Sequence, residues 1–193
     1  MSEKFTFFYG GWASQWAACK ILIDGVIYNC AEQYMMAMKA KLFNDAAALD
    51  IIMGTDNPKV QKAAGRTVQG FNQTIWEQNA KLYVYRANYA KFTQNKDAQQ
   101  WLMATNGTTL VEASPWDKIW GIGLDANDPK AQDRATWQGT NWLGEIVTQV
   151  REDIKSLNWI KAGTDKLKRA KAIGGNWVPI DADGMPRSGD IPV

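Results

Sequence analysis

The sequence contains no histidine, and this absence removes a large part of enzyme chemistry from consideration. Without an imidazole there is no histidine general base, no Ser-His or Cys-His nucleophile pair and no histidine-ligated metal site. Any acid–base step must therefore use carboxylates, lysines or tyrosines.

The sequence also has few cysteines, a low net charge and no long apolar segment. The two cysteines, Cys19 and Cys30, lack Cys-x-x-Cys spacing, which favours two structural thiols in a reducing compartment. No apolar run is long enough to span a bilayer, and the first residues lack the pattern of a secretion signal, so we expect a cytoplasmic protein with no membrane partner. The formal charge of +2 is well below that of a dedicated duplex-DNA binder.

Aromatic residues, by contrast, are abundant. The chain of 193 residues has ten tryptophans, and five of them fall between Trp101 and Trp142. Large aromatic side chains usually fill a core, although their ring faces also stack on nucleobases. The length and the hydrophobic content of 46% suffice for one sizeable core, so the sequence predicts one domain.

Short β-prone segments open the chain, and helical patterns follow. Residues 5–9 predict a strand, and residues 20–28 predict two strands joined by a type I′ turn at Asp24-Gly25. Asn29 and Glu32 have the spacing of a capping box and predict a helix to about residue 43. Caps and periodicity predict further helices at residues 45–53, 57–66, 74–92 and 97–104. A strand is expected at residues 108–113. A closing helix, capped by Asn141, is expected to reach Leu157.

Together these elements predict an α+β fold that is mainly helical, with a small N-terminal β element and a short central strand, in a single domain over residues 1–159. Residues 160–193 contain three of the six prolines, five glycines and the basic cluster Lys166, Lys168, Arg169 and Lys171. This composition predicts a loosely packed Gly/Pro-rich basic C-terminal extension. A basic arm for phosphate-bearing partners is the alternative.

One face of the helix that begins after Asn29 carries a carboxylate and an amine. At 100° per residue, Glu32, Met36 and Lys39 lie within a sector of ~60°, and the two charged groups are about two turns apart. This separation is too long for the i,i+4 ion pair of a helix surface. The alternative is that Glu32 caps the amide of Asn29 and that Lys39 is solvated.

Two other segments combine glycines with polar or aromatic residues. Residues 114–123 place Asp117 among tryptophans and glycines, where backbone can approach a ligand closely. The alternative is a type I turn in which Asp117 bonds its own backbone. Residues 139–145 open a helix whose N-terminus suits a phosphate, with a plain cap as the alternative.

The order of several short motifs resembles the NADAR superfamily, whose members have the YbiA-like fold. These motifs are EQYMMAMK (residues 32–39), AAGR (63–66), IW (75–76), KF (91–92), TLVEASPWDKIWGIG (109–123) and GTNWLGEIVTQVR (139–151). The resemblance covers residues 7–154. It implies an N-glycosidase that hydrolyses a phosphoribosylated intermediate of riboflavin synthesis or an ADP-ribosylated base, guanine in nucleic acid included.

The resemblance also implies site residues. Glu32 matches the family's helix glutamate, Lys39 its helix lysine and Asp117 its acidic loop. These three are the expected catalytic residues. The sequence departs from the family pattern at Gln33, where many relatives have histidine, and at Cys30, where threonine is common. The expected substrate-binding residues are Ser14, Gln15, Trp16, Arg66, Trp76, Trp120, Gly121 and Asn141.

Cleavage of an N-glycosidic bond requires stabilisation of positive charge at C1′, a proton source and a nucleophile. In one mechanism, a desolvated Lys39 of lowered pKa attacks C1′ and forms a Schiff base, Glu32 moves the proton, and Asp117 orients the ribose or activates water. In the other, Glu32 stabilises an oxocarbenium-like state while Asp117 activates water for direct hydrolysis. Neither mechanism uses a metal or a cofactor.

The expected ligand is a small N-ribosyl phosphate or ADP-ribosyl compound, or ADP-ribosylated nucleic acid. Arg66 is expected to pair with phosphate, and Trp76 or Trp120 to stack on the base. Two other classes stay open: a non-catalytic sensor of ADP-ribose or another nucleotide, and a helical interaction protein with no ligand. The presence of both Glu32 and Lys39 favours the enzyme over the sensor, because binding alone does not require both.

Overall fold

The structure, a computed structural model, describes residues 3–163, 169–171 and 177–179. It confirms an α+β chain in which helices predominate. Two compact units are present: a central unit, Gly10–Gln99, and a second unit formed by the segments before and after it. In chain order the elements are β1 (Phe5–Phe8), a 3-10 helix (Gly11–Ala13), β2 (Ile21–Ile23), β3 (Val26–Tyr28), α1 (Ala31–Leu42), α2 (Ala46–Met53), α3 (Pro58–Arg66), α4 (Gln73–Gln94), α5 (Lys96–Ala104), β4 (Thr109–Glu112), two 3-10 helices (Pro129–Gln132 and Arg134–Thr136), α6 (Trp142–Gly163), β5 (Arg169–Lys171) and β6 (Trp177–Pro179).

In the central unit, β2 and β3 form the hairpin that the sequence predicts. The strands are antiparallel, and Ile21 lies opposite Tyr28. Asp24 and Gly25 at the turn have φ angles of 51° and 77°. Both central residues of a type I′ turn need positive φ, which Asp and Gly adopt at lower cost than other residues, so the predicted turn is confirmed.

Side-chain caps begin three helices of the central unit. Asp45, Asn57 and Asn72 each accept a hydrogen bond from a backbone amide two or three residues further on. The predicted starts of α2 and α3 are confirmed, whereas α4 extends beyond the predicted residues 74–92 at both ends. Because α1 packs against α2, α3 and α4, these three helices hold the side chains of α1 in place.

In the second unit, β1 and β4 form a parallel pair. Phe5 lies opposite Thr109 and Phe8 opposite Glu112, and α6 packs against β4. The predicted strands are confirmed, each one or two residues shorter than expected. An apolar cluster in this unit consists of Val111, Ile122, Leu124 and Ala131, with Phe5, Phe7 and Trp137 packed against it.

Asn141 does not cap α6 with its side chain, so that prediction is wrong. Its Oδ1 accepts a hydrogen bond from the amide of Glu112 at 2.9 Å, and its Nδ2 donates to the carbonyl of Leu110 at 3.0 Å. Both partners belong to β4. The side chain therefore ties the start of α6 to the strand, a tertiary contact that outweighs the local cap.

The C-terminal helix α6 continues to Gly163, past the predicted domain end at residue 159. β5 and β6 form an antiparallel pair in which Arg169 lies opposite Pro179. The rest of the predicted extension lies outside the described residues, so its loose packing and its use as a basic arm stay predictions. Among the helices that the structure describes, none is both long and apolar enough for a membrane span.

Candidate functional site

The first turn of α1 is capped one residue later than the sequence predicts. Sγ of Cys30 accepts a hydrogen bond from the amide of Gln33 at 3.4 Å, and Oε1 of Gln33 accepts one from the amide of Asn29 at 2.8 Å. Cys30 is therefore the N-cap of α1, and Gln33 bonds the amide of the residue before this cap. A capping role of Glu32 at the amide of Asn29 is wrong, because Gln33 holds that amide.

Gln33 also fixes the segment that follows α2. Its Nε2 donates to the carbonyls of Ile52 at 3.0 Å and Thr55 at 3.3 Å. The side-chain amide therefore joins the start of α1 to the connection between α2 and α3. In this chain, position 33 serves the scaffold, and this role requires hydrogen bonds but no titration.

Glu32 is the second residue of α1 and is buried, with 4% of its surface exposed. Its backbone amide donates to the carbonyl of Gln15 at 2.9 Å. The amides at a helix N-terminus favour a negative charge, so this position suits a carboxylate. The structure thus brings the predicted catalytic Glu32 next to the predicted substrate-binding residue Gln15.

The residues on either side of Gln15 form a turn with one exposed ring. Oγ of Ser14 accepts a hydrogen bond from the amide of Trp16 at 3.1 Å. The Trp16 side chain is 43% exposed, and Nζ of Lys62 lies 5.9 Å from its ring centroid. An exposed ring beside an ammonium group offers a ligand both a stacking surface and positive charge.

Lys39 lies two turns beyond Glu32 on the same face of α1. Its Nζ is 4.0 Å from the ring centroid of Phe71 and 5.4 Å from that of Trp76. Burial lowers the pKa of Lys39, and the positive charge of Arg66 lowers it further. The predicted direction of this pKa is confirmed. At a given pH, more of Lys39 is therefore the neutral, nucleophilic amine than for a solvated lysine.

Met36 lies between Glu32 and Lys39 and packs against α3. It is buried, and a Cβ added to Gly65 would overlap its Sδ. The close approach of α3 to α1 therefore requires a residue without a side chain at position 65. This approach places the next residue, Arg66, where its charge acts on Lys39.

The two rings beside Lys39 differ in exposure. Phe71 is 41% exposed, whereas Trp76 is buried and lies 6.2 Å from the ring centroid of Tyr83. The motifs in the sequence do not identify Phe71 as part of the site. In the sequence, Phe71 is an aromatic residue immediately before the helix cap Asn72. This position by itself indicates only a packing contact at the start of the helix.

In the second unit, Asp117, Trp120 and Gly121 belong to one loop. Oδ1 of Asp117 accepts hydrogen bonds from the amides of Ile119 at 2.9 Å and Trp120 at 2.7 Å, which confirms the local turn. Its Oδ2 has no hydrogen bond to any residue that the structure describes. A Cβ on Gly121 would lie 2.8 Å from the carbonyl oxygen of Glu112, so this position needs glycine. One carboxylate oxygen is thus fixed and the other is available to a ligand.

The remaining predicted residue of the second unit, Asn141, supports this loop. Its side chain is fully buried and bonded to β4, and its backbone amide donates to the carbonyl of Gly121 at 3.1 Å. Trp120 packs edge-on against Trp142, with ring centroids 5.6 Å apart. Catalysis by Asp117 and substrate binding by Trp120, Gly121 and Asn141 stay predictions.

Among the described residues, the thiols and carboxylates show no arrangement for metal binding or thiol chemistry. In the part of the chain that is described, no three Cys, Asp or Glu side chains converge on a point that could hold a metal ion. Cys19 and Cys30 are free thiols. Burial raises the pKa of both, to about 11 for Cys30, so both stay protonated at neutral pH and are poor nucleophiles.

Known proteins match most of the chain. A model of the NADAR domain matches residues 6–155. Protein irg-1 of Caenorhabditis elegans is 41% identical over 142 residues, which cover 72% of this chain and 67% of that protein. N-glycosidase R617 of Acanthamoeba polyphaga mimivirus is 39% identical over 165 residues, which cover 79% of this chain and 97% of that protein. The NMR structure of the Escherichia coli protein YbiA is similar, with a TM-score of 0.67 and 26% identity over 86% of this chain and 92% of that one.

Proposed function

The chain belongs to the NADAR domain family, and from this premise we propose that it is an N-glycosidase that hydrolyses the N-glycosidic bond of a phosphoribosylated or ADP-ribosylated base. Relatives with N-glycosidase in their names support the reaction class, among them the mimivirus protein and Escherichia coli YbiA, which is 29% identical over 141 residues. A part of the riboflavin biosynthesis protein PYRR of Zea mays is 32% identical over 138 residues, which favours a small glycosylated substrate.

The observation that carries this proposal is the environment of Lys39. A lysine on a helix surface usually extends into water or pairs with a carboxylate. Lys39 instead lies close to the rings of Phe71 and Trp76, and it forms no ion pair with a carboxylate of the described residues. Burial and the charge of Arg66 lower its pKa. This environment is typical of an amine that acts as a nucleophile.

In the proposed reaction, the neutral amine of Lys39 attacks C1′ of the ribose. The bond from C1′ to the base nitrogen breaks, and its electron pair leaves with the base, which takes a proton from solvent. Glu32 accepts the proton that the attacking amine loses and returns it to the ring oxygen. The ring opens, C1′ is held as a Schiff base, and addition of water releases the sugar and the free amine.

Binding of the substrate uses the groups around Lys39. Arg66 is exposed and supplies a guanidinium for a phosphate. Phe71, exposed beside the amine, and Trp16, exposed beside Lys62, supply ring faces for a base or an adenine. Direct hydrolysis is the alternative mechanism. It uses the same binding groups, with Glu32 stabilising positive charge at C1′ and with no bond to Lys39.

The test is release of free base from a panel of candidate substrates, measured by chromatography. The panel contains phosphoribosylated riboflavin intermediates, NAD and guanine ADP-ribosylated in DNA. The wild type and the control Lys41→Ala, which changes an exposed lysine of the same helix, should release base from at least one of them. Glu32→Gln should slow release by about 100-fold or more. Tight binding with no release over hours would contradict the proposal and favour a nucleotide sensor.

A further inference from the structure

Helix α4 contains a buried lysine that the proposed mechanism does not use. Lys91 has 0% of its surface exposed, and its Nζ donates a hydrogen bond to the carbonyl of Ser14 at 3.0 Å. The ring centroid of Phe92 lies 4.8 Å from Nζ. Within the described chain, no carboxylate forms an ion pair with Lys91. An ammonium group is rarely fully buried without a carboxylate, because its desolvation is costly.

The titration of Lys91 agrees with this burial. Burial lowers the pKa of Lys91 to about 7, and the thiols of Cys19 and Cys30 act in the opposite direction. The charged and the neutral forms both have N–H groups to donate to a carbonyl oxygen. The hydrogen bond to Ser14 is therefore available in either protonation state.

The carbonyl that Lys91 holds belongs to the segment that contacts the start of α1. Gln15, the residue after Ser14, accepts a hydrogen bond from the amide of Glu32 at 2.9 Å through its own carbonyl. The side-chain oxygen of Gln15 accepts a second one from Nδ2 of Asn88 at 2.8 Å. Asn88 and Lys91 are three residues apart and lie on one face of α4. Two polar side chains of α4 therefore hold two consecutive residues, and the second of these residues holds Glu32.

We propose that Lys91 is a positioning residue, which fixes Ser14 and Gln15 so that Glu32 is held at the first turn of α1 in the orientation that base release requires. This inference rests on the proposed function. Lys91 acts through the backbone of Ser14 and Gln15 and does not touch the substrate. The carbonyl of Ser14 also accepts a local hydrogen bond from the amide of Ala17 at 3.2 Å. Lys91 is its long-range donor, and it ties this turn to α4.

The first test replaces Lys91 by methionine, which has a similar length, tolerates burial and cannot donate a hydrogen bond. In Lys91→Met, kcat should fall by about tenfold or more while KM changes by less than about twofold, because orientation rather than binding is lost. Lys91→Arg keeps N–H donors and should recover part of kcat. Lys96→Met, at the start of α5, is the control and should leave kcat unchanged.

The second test does not depend on activity. The hydrogen-exchange rate of the Glu32 amide, measured by NMR, should rise by about tenfold or more in Lys91→Met. The Leu49 amide, which donates to the carbonyl of Asp45 in α2, should exchange as in the wild type. Tm at pH 6 should equal or exceed that of the wild type, because the variant no longer buries a charge.

The two tests distinguish the two possible failures. If the wild type releases no base but the Glu32 amide exchanges faster in Lys91→Met, the proposed function fails and the positioning by Lys91 stands. If exchange at Glu32 stays within about twofold of the wild type, the positioning inference is overturned. A variant that does not fold, or that has a lower Tm with faster exchange throughout, also overturns it, because Lys91 would then serve stability alone.

Discussion

The ammonium group of Lys39 lies 4.0 Å from the ring centroid of Phe71. A cation over an aromatic face is attracted to it, and this attraction alone would stabilise the charged form of the lysine. Burial and the nearby charge of Arg66 act in the opposite direction and prevail, since the pKa of Lys39 is lowered. Burial and the charge of Arg66 therefore outweigh the attraction of the ring for the cation, and the balance favours a nucleophile.

Two substitutions should raise the pKa of Lys39. Phe71→Ala admits water to the amine and removes part of the larger cause, which is burial, while Arg66→Gln removes the smaller cause, the positive charge. We expect the larger increase in the pKa of Lys39 for the first substitution and the smaller increase for the second. The pH dependence of Lys39 acetylation by acetic anhydride measures this pKa, and Lys41 in the same sample is the internal reference. An unchanged Lys39 profile in both variants would show that neither burial by Phe71 nor the charge of Arg66 lowers this pKa.

Loss of the thiol cap of α1 should destabilise the protein. Cys30→Ala leaves the amide of Gln33 without its acceptor and should lower the free energy of unfolding by about 1 kcal/mol in urea titrations. Cys30→Ser keeps an acceptor and should retain most of this stability. Equal losses in the two variants would mean that Cys30 acts through packing rather than as a cap.

The close approach of α3 to α1 can be tested at Gly65. Gly65→Ala places a methyl group against Sδ of Met36 and should cost about 1–3 kcal/mol of unfolding free energy. The penalty should shrink in a Met36→Ala background, which a double-mutant cycle measures. Gly10→Ala, where a Cβ meets nothing within 4 Å, is the control for the change of residue type. A penalty that does not depend on Met36 would place the strain elsewhere.

Lys91 should make stability depend on pH. Its pKa is about 7 in the folded chain and near 10.5 in an ordinary lysine, so between these values the folded state binds fewer protons than the unfolded state. Stability should therefore rise with pH above about 7 through this group, by up to roughly 1 kcal/mol per pH unit. The thiols of Cys19 and Cys30 have the opposite effect. Burial raises their pKa values, so they reduce stability as the pH rises near 9.

The effect of Lys91 is therefore measured as the difference in unfolding free energy between the wild type and a variant without this lysine. The unfolding free energies of the wild type and Lys91→Met are compared between about pH 6.5 and 8, where the thiols stay largely protonated in both proteins. The wild type should gain stability relative to the variant as pH rises. Parallel curves would show that the pKa of Lys91 is not lowered by folding.

Local chemistry in the sequence predicts much of this fold. Asp24-Gly25 determines a turn, and Asp45 and Asn57 determine helix starts, because each acts on its own neighbours in the chain. The predicted start of α1 is displaced because two overlapping patterns compete. Asn29 with Glu32 and Cys30 with Gln33 have the same spacing, and local spacing does not show that Gln33 also bonds Ile52 and Thr55 beyond α2.

The site is predictable only where one helix or one motif contains it. Periodicity places Glu32 and Lys39 on one face of α1, and the family motif adds Arg66. Tertiary partners are not visible in the same way. Asn141 has the pattern of a helix cap, although its side chain bonds a strand some thirty residues away. Lys91 lies in a helix pattern, and its acceptor is a backbone carbonyl that no side-chain pattern marks.

The most direct test of the central claim is reductive trapping of the Schiff base between Lys39 and the sugar. Wild-type protein, Lys39→Ala and the control Lys41→Ala are mixed with a substrate that releases base, treated with borohydride, digested and analysed by mass spectrometry. The Schiff-base mechanism predicts a sugar adduct on Lys39 in the wild type and in Lys41→Ala, with base release lost in Lys39→Ala. Absence of any adduct, together with undiminished base release by Lys39→Ala, would contradict it.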